Sequence, residues 1–573
     1  MDRILVRRLC ESVLFLLAAG AAHAADIYVA GNGSDSNSGS RSAPLRTIAA
    51  AVKAANPGDT VWISPGQYQE SLIPARSGSN GQPITFKKLG PGPSVIVAAS
   101  GGALHNAIYV NGVTDIVIDG IDANGGTAAP AAAFASFVVI SNSSRIVLRN
   151  GTYANANGWA GIEVNNNSSY VSVQNNSVDM VGQFVSPKTE GGSGEGILVQ
   201  YGNPTHVLVA QNHITHSGHD LMSIGSQFNI AQDNYLNNDW SDVQGVPAGF
   251  RNVVVVGNNN VVQRNYLSHS GPGPAKYRAT TVLRVEGSNN IVRQNVLTNG
   301  FDQAFQSTAG PWTANGGGNR IYNNTAYDIG GPAWAEQIYQ PGYTRGNDVF
   351  QNNLVVNTRM APPDYDNDVV FWVQTQAQGQ TSGSSVIANL IIPAGGKKPT
   401  IMLGPSPGAM PLQAPGAAVS TLVFGNLIGV QPVFAAAPVS TSSSKAGSSS
   451  AAVAIASYRL SAGSPGVAQG AFLTKTTAQG QSATVPVADA SFFTDGFGIT
   501  AGDMVKLQGT AQAVQVTHVD YAANTLTLAQ SVAFSSGQGV SLDYQGTAPD
   551  IGVSGTGGAI APLPPTSVQV KRN

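Results

Sequence analysis

Short apolar, β-branched runs recur along the chain, and each ends in a polar residue followed by asparagine. IVLRN ends at Asn150, VSVQN at Asn175, VLVAQN at Asn212 and NIAQDN at Asn234. VVQRN, IVRQN, RIYNN and VFQN follow, ending at Asn265, Asn295, Asn324 and Asn352, with weaker members at Asn389 and Asn426. The interval runs from 22 residues (Asn212 to Asn234) to 37 (Asn175 to Asn212). A second apolar run precedes most members: IEV at 162–164, ILV at 197–199, MSI at 222–224, VVVV at 253–256 and VLRV at 282–285. Two or three short strands per period, joined by Gly/Asn turns, predict a β-solenoid. One coil cannot bury its inward face alone. Stacked coils share a core of Val, Ile and Leu, and asparagines at one bend hydrogen-bond from coil to coil as a ladder. A propeller needs more uniform blades of about 40 residues with a blade signature, and the chain has none.

The pattern changes at both ends of the repeats. A strand at 27–29, a helix at about 46–55 and a strand at 60–64 precede them. The helix is apolar through Ile48, Ala51, Val52 and Ala55, which suits a cap over an open strand edge. The solenoid with its cap is expected over 25–432. Residues 433–457 are Ala/Ser/Pro-rich and read as a linker or loop. Residues 458–470 and 547–552 read as two halves of a closing coil. Between them, about 474–546 supplies five alternating strands (ATVPVA, DMVKLQG, AVQVTHVDY, TLTLAQ, GVSLDYQ), a small inserted β-barrel or sandwich.

Composition narrows the function. Charged residues are only 10%, with 29 Lys+Arg against 31 Asp+Glu, a net charge of −2. A near-neutral surface argues against nucleic acid, because phosphate binding needs a basic one. Residues 1–24 read as a secretory signal, with Arg3, Arg7 and Arg8 before an apolar stretch and Ala22-His23-Ala24 at the cleavage site. The apolar stretch is too short for a membrane span. Cys10, the single cysteine, lies inside that signal, so disulfides, zinc thiolates and cysteine nucleophiles are excluded from the mature chain. The expectation is a secreted monomer.

Because charge is scarce, its clustering between 188 and 303 is informative. Glu195, Asp220, Arg251, Lys276, Arg278 and Asp302 stand just before or at the start of equivalent strands, with His219, Asp239, Asp242, Arg284 and Glu286 close by. Stacked coils lie about 4.8 Å apart, so these residues are expected on one line. Such a line suits β-elimination of an acidic sugar polymer. The reaction takes the proton alpha to a uronate carboxylate and needs cations to stabilise the enolate-like state. Lys276 is the expected base, its pKa lowered by Arg278 and Arg284, with His219 as the substitute. Arg251 is an expected substrate contact. Glu195, Asp220 and Asp242 are expected to hold Ca²⁺, since oxygen-rich sites favour hard cations. Trp159, Trp240, Trp312 and Trp334 fall near turns, and the last three are expected as sugar-stacking platforms. His213, His216 and His219 have HxxHxxH spacing, but a strand and turn do not make such residues converge on zinc.

The segment YVAGNGSDSNSGS, with PLRTIAAAVKAANPGDTVWISPGQYQE after it, resembles the N-terminal cap of secreted right-handed parallel β-helix polysaccharide lyases. Pectate lyase family 9, chondroitinase B and alginate lyase types share it. The resemblance covers roughly 26–430 and is strongest in the cap. It implies an all-β fold: a right-handed parallel β-helix with an N-terminal helical cap and a small inserted C-terminal β domain. It also implies an acidic polysaccharide as substrate. HSGHDLMSIGSQFNIAQDNYLNN at 216–238 is similar to the acidic calcium turn of family 9, with Asp220 where one ligand stands and His219 in place of a second acid. TTVLRVEGSNNIVRQN at 280–295 resembles the segment that carries the base lysine of chondroitinase B and alginate lyases. Arg284 stands near that position, so Lys276 or His219 must replace the base. The paired-aspartate and Arg-Ile-Lys motifs of polygalacturonases and the Asp-Pro-His-Asp segment of C5-epimerases are absent. A glycoside hydrolase, an epimerase or a non-catalytic glycan-binding solenoid on this fold are the alternatives.

Overall fold

The structure, a computed structural model, describes residues 24–96, 106–124, 136–155, 159–182, 194–239, 251–270, 281–309, 313, 315–338, 343–358, 368–373, 382–394, 398–403, 409–411, 422–438 and 450–553. The expected signal segment lies outside them, apart from Ala24.

The chain winds into a right-handed parallel β-helix with three long sheets of 14, 13 and 12 strands. Each coil visits the first, second and third sheet in turn. Register is strict: Ile118, Leu148, Val173, Val209, Ala231, Val262, Val292, Ile321, Phe350 and Val386 pair one after another along the first sheet. All belong to one continuous core. The cap helix Ile48–Ala54 buries Ile48, Ala51 and Val52. Thr47 caps it by accepting from the Ala50 amide, and the Glu70 carboxylate takes the Ile48 and Ala49 amides at 2.9 and 3.0 Å.

Leaving the first sheet, every coil needs a tight bend whose inner amides face away from water. Asn176, Asn212, Asn234, Asn265, Asn295, Asn324, Asn353, Asn389 and Asn426 stack at that bend. Asn265 shows the pattern. Its Oδ1 accepts from the Asn234 backbone amide and Nδ2 at 3.0 and 2.9 Å, and its Nδ2 donates to Ala231 O and Asn295 Oδ1, both at 3.0 Å. The residue before each ladder asparagine is left-handed: Asn175, Gln211, Asp233, Arg264, Gln294, Asn323, Asn352 and Ala388 have φ between 51° and 58° and Gly425 has 67°, and Asn150, at φ 60° before Gly151, holds the same place one coil earlier. A non-glycine residue there costs about 1–2 kcal/mol, which the ladder bonds offset. Asn150, Asn175 and Asn352 therefore stand in this left-handed column, one position before the ladder in which the sequence pattern placed them. The bend entering the first sheet has a second ladder, Asn229, Asn260, Asn290 and Asn319, which ends on Asp348. Asp348 accepts from Asn319 on one oxygen and holds the buried Arg345 on the other.

The tail folds along the flank of the solenoid. Residues 474–542 form a six-stranded antiparallel unit, one short strand, Thr474–Lys475, more than the five expected. It packs on the outer face of the first sheet against Leu208, Ile230, Val261, Ile291 and Tyr322. The buried Arg293 donates to Asp503 at 2.8 and 2.5 Å, and Arg320 pairs with Asp489 at 2.8 Å. Segments 458–470 and 547–552 lie side by side, joined by Gly470 N–H to Pro549 O and Ile551 N–H to Gly466 O, each 2.8 Å. Leu460 and Ile551 pack outside the second sheet on Leu354, Val356, Leu390 and Ile392, because those outward positions are apolar. Nor is 433–457 all linker: Ala451–Ala456 is a helix buried against Tyr235, Tyr266 and Val296. Among the described residues no helix is long and apolar enough to cross a membrane.

Asn265→Ala should lower the free energy of unfolding by about 3 kcal/mol, because it strands two donors of Asn234 and the Ala231 carbonyl inside the bend. Urea unfolding of the variant against the parent protein measures this.

Candidate functional site

Each coil turns a corner from the second sheet into the third. Strands Glu195–Val199, Asp220–Ile224 and Arg251–Val255 begin at that corner in successive coils. Leu221 and Met222 both enter the core, so Asp220 and Ser223 fall on the outer side. Gly196 is required next to Glu195: a Cβ there would meet Ile214 Cγ2 and the Leu221 carbonyl oxygen, each at 2.5 Å.

Four side chains of this corner touch. His219 Nδ1 lies 3.0 Å from Glu195 Oε1 and 3.3 Å from Asp220 Oδ2. Arg251 Nε donates to Asp220 Oδ1 at 2.9 Å, and its Nη2 lies 3.2 Å from His219 Nε2. Arginine only donates, so Nε2 must offer a lone pair. His219 is therefore held neutral with its proton on Nδ1, facing the carboxylates. Glu195 Oε2 is buried and has no hydrogen-bond partner. The ligand atoms of Glu195, His219 and Asp220 all lie within 4.8 Å of one another. An orphaned carboxylate oxygen beside a second carboxylate fits a hard cation. The Arg251 guanidinium limits that fit by occupying one Asp220 oxygen.

The structure brings Glu195, His219, Asp220 and Arg251 together and leaves Arg284 apart. Arg284 pairs in register with Val254, three residues and roughly 10 Å along the strand direction from Arg251, and its Nη2 bonds Glu286 Oε1 at 2.8 Å. Lys276, Arg278, Asp242, Trp240 and Trp312 lie outside the described residues. Trp334 is no platform. It is fully buried, stacked on Phe350 at 5.6 Å, with its indole N–H on Ser307 Oγ at 3.1 Å. It stands in the inward column with Phe305 and Phe371, which the turn-based reading missed. Asp302, half-buried at the same corner, is pushed up to about 7 by burial.

The sequence reading also missed a second network at this corner. His216, at φ 48°, sits between two carboxylates, with Nδ1 2.6 Å from Asp179 Oδ1 and Nε2 2.7 Å from Asp239 Oδ1. Both ring nitrogens must donate, so the ring is an imidazolium. Burial works to lower its pKa, but the two hydrogen-bonded carboxylates outweigh it and push it up to about 9. His213 stacks on Tyr235 at 4.7 Å, so the three histidines face different partners, as a strand followed by a turn requires. The available signal was positional: Asp179 ends a second-sheet strand, and His216 and Asp239 follow the equivalent strands of the next two coils.

The family described as "Protein of unknown function (DUF1565)" matches residues 29–73. The uncharacterized protein YwoF of Bacillus subtilis (strain 168) is 39% identical over 101 residues, 17% of this chain and 21% of YwoF. The chain thus matches about a fifth of that relative's length. Pectate lyase L of Dickeya dadantii (strain 3937) is 27% identical over 357 residues, 60% of this chain and 74% of that protein. Among solved structures, an alginate lyase from Paenibacillus sp. str. FPU-7 is 17% identical with a TM-score of 0.40, covering 56% of this chain and all but 1% of that one (99%). Pectate lyase Pel9A is 18% identical with a TM-score of 0.39, covering 64% and 82%. The chain is similar to β-helix polysaccharide lyases.

His216 yields a pH test. Its folded pKa, about 9, exceeds the ordinary 6.5. Its stabilising contribution is complete below pH 6.5 and is lost as pH rises through about 9. Asp179 and Asp239 are held below 3.8, so their share is present above that value and lost in acid. His216→Gln should cost about 2 kcal/mol at pH 6 and less than half as much at pH 10, read by urea unfolding at both pH values.

Proposed function

We propose that this chain is an exported polysaccharide lyase that cleaves a uronate-containing glycan by β-elimination, working at the Glu195–His219–Asp220–Arg251 corner. The observation that carries the reading is this outward cluster of two carboxylates, a histidine and an arginine on a chain that resembles Pectate lyase L over 60% of its length. In the reaction a base removes the proton alpha to the uronate carboxylate, the bond from the next carbon to the glycosidic oxygen breaks, a C=C bond forms, and the leaving oxygen takes a proton.

Arg251 would bind the uronate carboxylate through its planar fork. Drawn to that carboxylate, it would leave His219 Nε2 with a free lone pair beside the substrate. Lys276 is the proposed base and His219 its substitute; Arg278 and Arg284 would add positive charge along the same face. Glu195 and Asp220, with Asp242, would hold Ca²⁺, and the ion when bound would neutralise charge on the substrate carboxylate. Residues 1–24 would direct export.

A screen of pectate, alginate and glycosaminoglycans, with and without a chelator, tests the reading. Unsaturated products absorbing in the ultraviolet are expected from at least one substrate, reduced by the chelator. Glu195→Gln and Lys276→Ala should each lower turnover by about 100-fold or more, with unchanged melting. New reducing ends without that absorbance would mean hydrolysis instead, and full activity of Lys276→Ala would remove Lys276 as the base.

A further inference from the structure

Two aromatic rings meet on the outside of the third sheet, one from the coil before Glu195 and one from the coil that carries it. Trp159 immediately precedes the strand Ala160–Asn165, and Tyr201 follows the neighbouring strand Glu195–Val199. They stand at opposite ends of paired strands, yet their ring centroids are 6.1 Å apart. Both side chains must therefore lean over the sheet toward each other. Trp159 is also tied to the corner itself, because its carbonyl oxygen accepts the Gly194 and Glu195 amides at 3.2 and 3.1 Å.

Two features of Tyr201 bear on its role. Tyr201 is 47% exposed, while Tyr153, Tyr266, Tyr322 and Tyr458 are all buried. Tyr201 is also held left-handed at φ 62°, as Tyr170 and Phe228 are, at a position where the three preceding coils carry Gly112, Asn142 and Asn166. Its carbonyl accepts the Asn166 amide at 2.8 Å, which fixes that conformation. Strain of this kind persists where the surrounding structure over-determines it and clusters at ligand sites. The Tyr201 phenol is raised by burial of its ring edge and by the nearby Glu195 and Glu163 charges, so it remains a hydrogen-bond donor beside the acidic corner.

We propose that Trp159 and Tyr201 form a stacking subsite for a sugar ring of the same polysaccharide chain whose neighbouring unit occupies the Glu195–His219–Asp220–Arg251 corner. This rests on the acidic-glycan reading of that corner and adds where the polymer runs: across successive coils of the third sheet. An aromatic face binds the C–H face of a pyranose, and the Tyr201 hydroxyl is placed to meet a ring hydroxyl or carboxylate.

Titration calorimetry of the full-length protein with hexamers of galacturonate, guluronate and chondroitin, and with neutral xylohexaose, tests it. Trp159→Ala and Tyr201→Ala should each bind the preferred hexamer about tenfold more weakly, equivalent to about 1.4 kcal/mol, whereas Trp159→Phe should stay close to the parent protein and Tyr201→Phe, which keeps the ring and loses the hydroxyl, should fall between the two. Should an alanine variant melt early, tryptophan fluorescence decides: the hexamer-induced change of the parent should vanish in Trp159→Phe. Parent-like affinity in both alanine variants, or an unchanged fluorescence response in Trp159→Phe, overturns the subsite and leaves the acidic corner standing. Binding of xylohexaose alone, lost in the alanine variants, keeps the subsite and sinks the acidic-glycan reading. No binding of any hexamer by the parent overturns both.

Discussion

A backbone that bends inside a protein must find partners for amides that water cannot reach. In this chain the partner at each bend is the asparagine of the next coil, and the sheets depend on that choice. Because every ladder asparagine bonds both the backbone and the side chain of its neighbour, a coil cannot slip by one residue without breaking several buried bonds at once. Register in the three sheets follows from the bends, and the single core of Val, Ile and Leu follows from the register. The outward residues inherit the same alignment. Asp220 lies beside Arg251, and Glu195 comes within reach of His219, because the ladders behind them are in step.

The solenoid and its cap were legible because both write long, repeated patterns. β-branched runs ending in asparagine need no knowledge of distant contacts, and the amphipathic helix before Ala55 carries its own cap at Thr47. What was not legible depends on which of two adjacent asparagines turns inward: Asn175 and Asn176, or Asn352 and Asn353, look alike until the left-handed residue is located. The flank position of the tail was written only faintly. Leu208, Ile230, Val261 and Ile291 are apolar at positions that should face water, and the inserted β unit covers them. Of the candidate site, Glu195, His219, Asp220 and Arg251 were found through scarcity of charge. Trp334 was misplaced because nearness to a turn does not tell an inward side chain from an outward one. His216 was discounted as a zinc ligand, and its two carboxylate partners lie in neighbouring coils that linear spacing does not reveal.

Among the described residues, Arg251 is the cation that touches the corner's other side chains. Arg251 stands between Asp220 and the far ring nitrogen of His219. Its guanidinium fixes the His219 tautomer and balances Asp220, so Glu195 is the carboxylate with an oxygen to spare. An arginine keeps its charge at every relevant pH. The His216 network a few residues away follows the opposite logic, with a ring that is charged because two carboxylates hold it.

The two ladders are separated by the same five residues in coil after coil: Asn229 and Asn234, Asn260 and Asn265, Asn290 and Asn295, Asn319 and Asn324, Asp348 and Asn353. The corner between the second and third sheets keeps no such count. It holds 15 residues between Asp179 and Glu195, 4 between Thr215 and Asp220, and 13 between Asn237 and Arg251. Insertions and deletions there leave both ladders and the core untouched, whereas one residue gained or lost within the first sheet would break them. The candidate site thus borders a stretch of each coil where length is free to drift, so lineages built on this scaffold can exchange the loops beside it while the solenoid itself stays fixed.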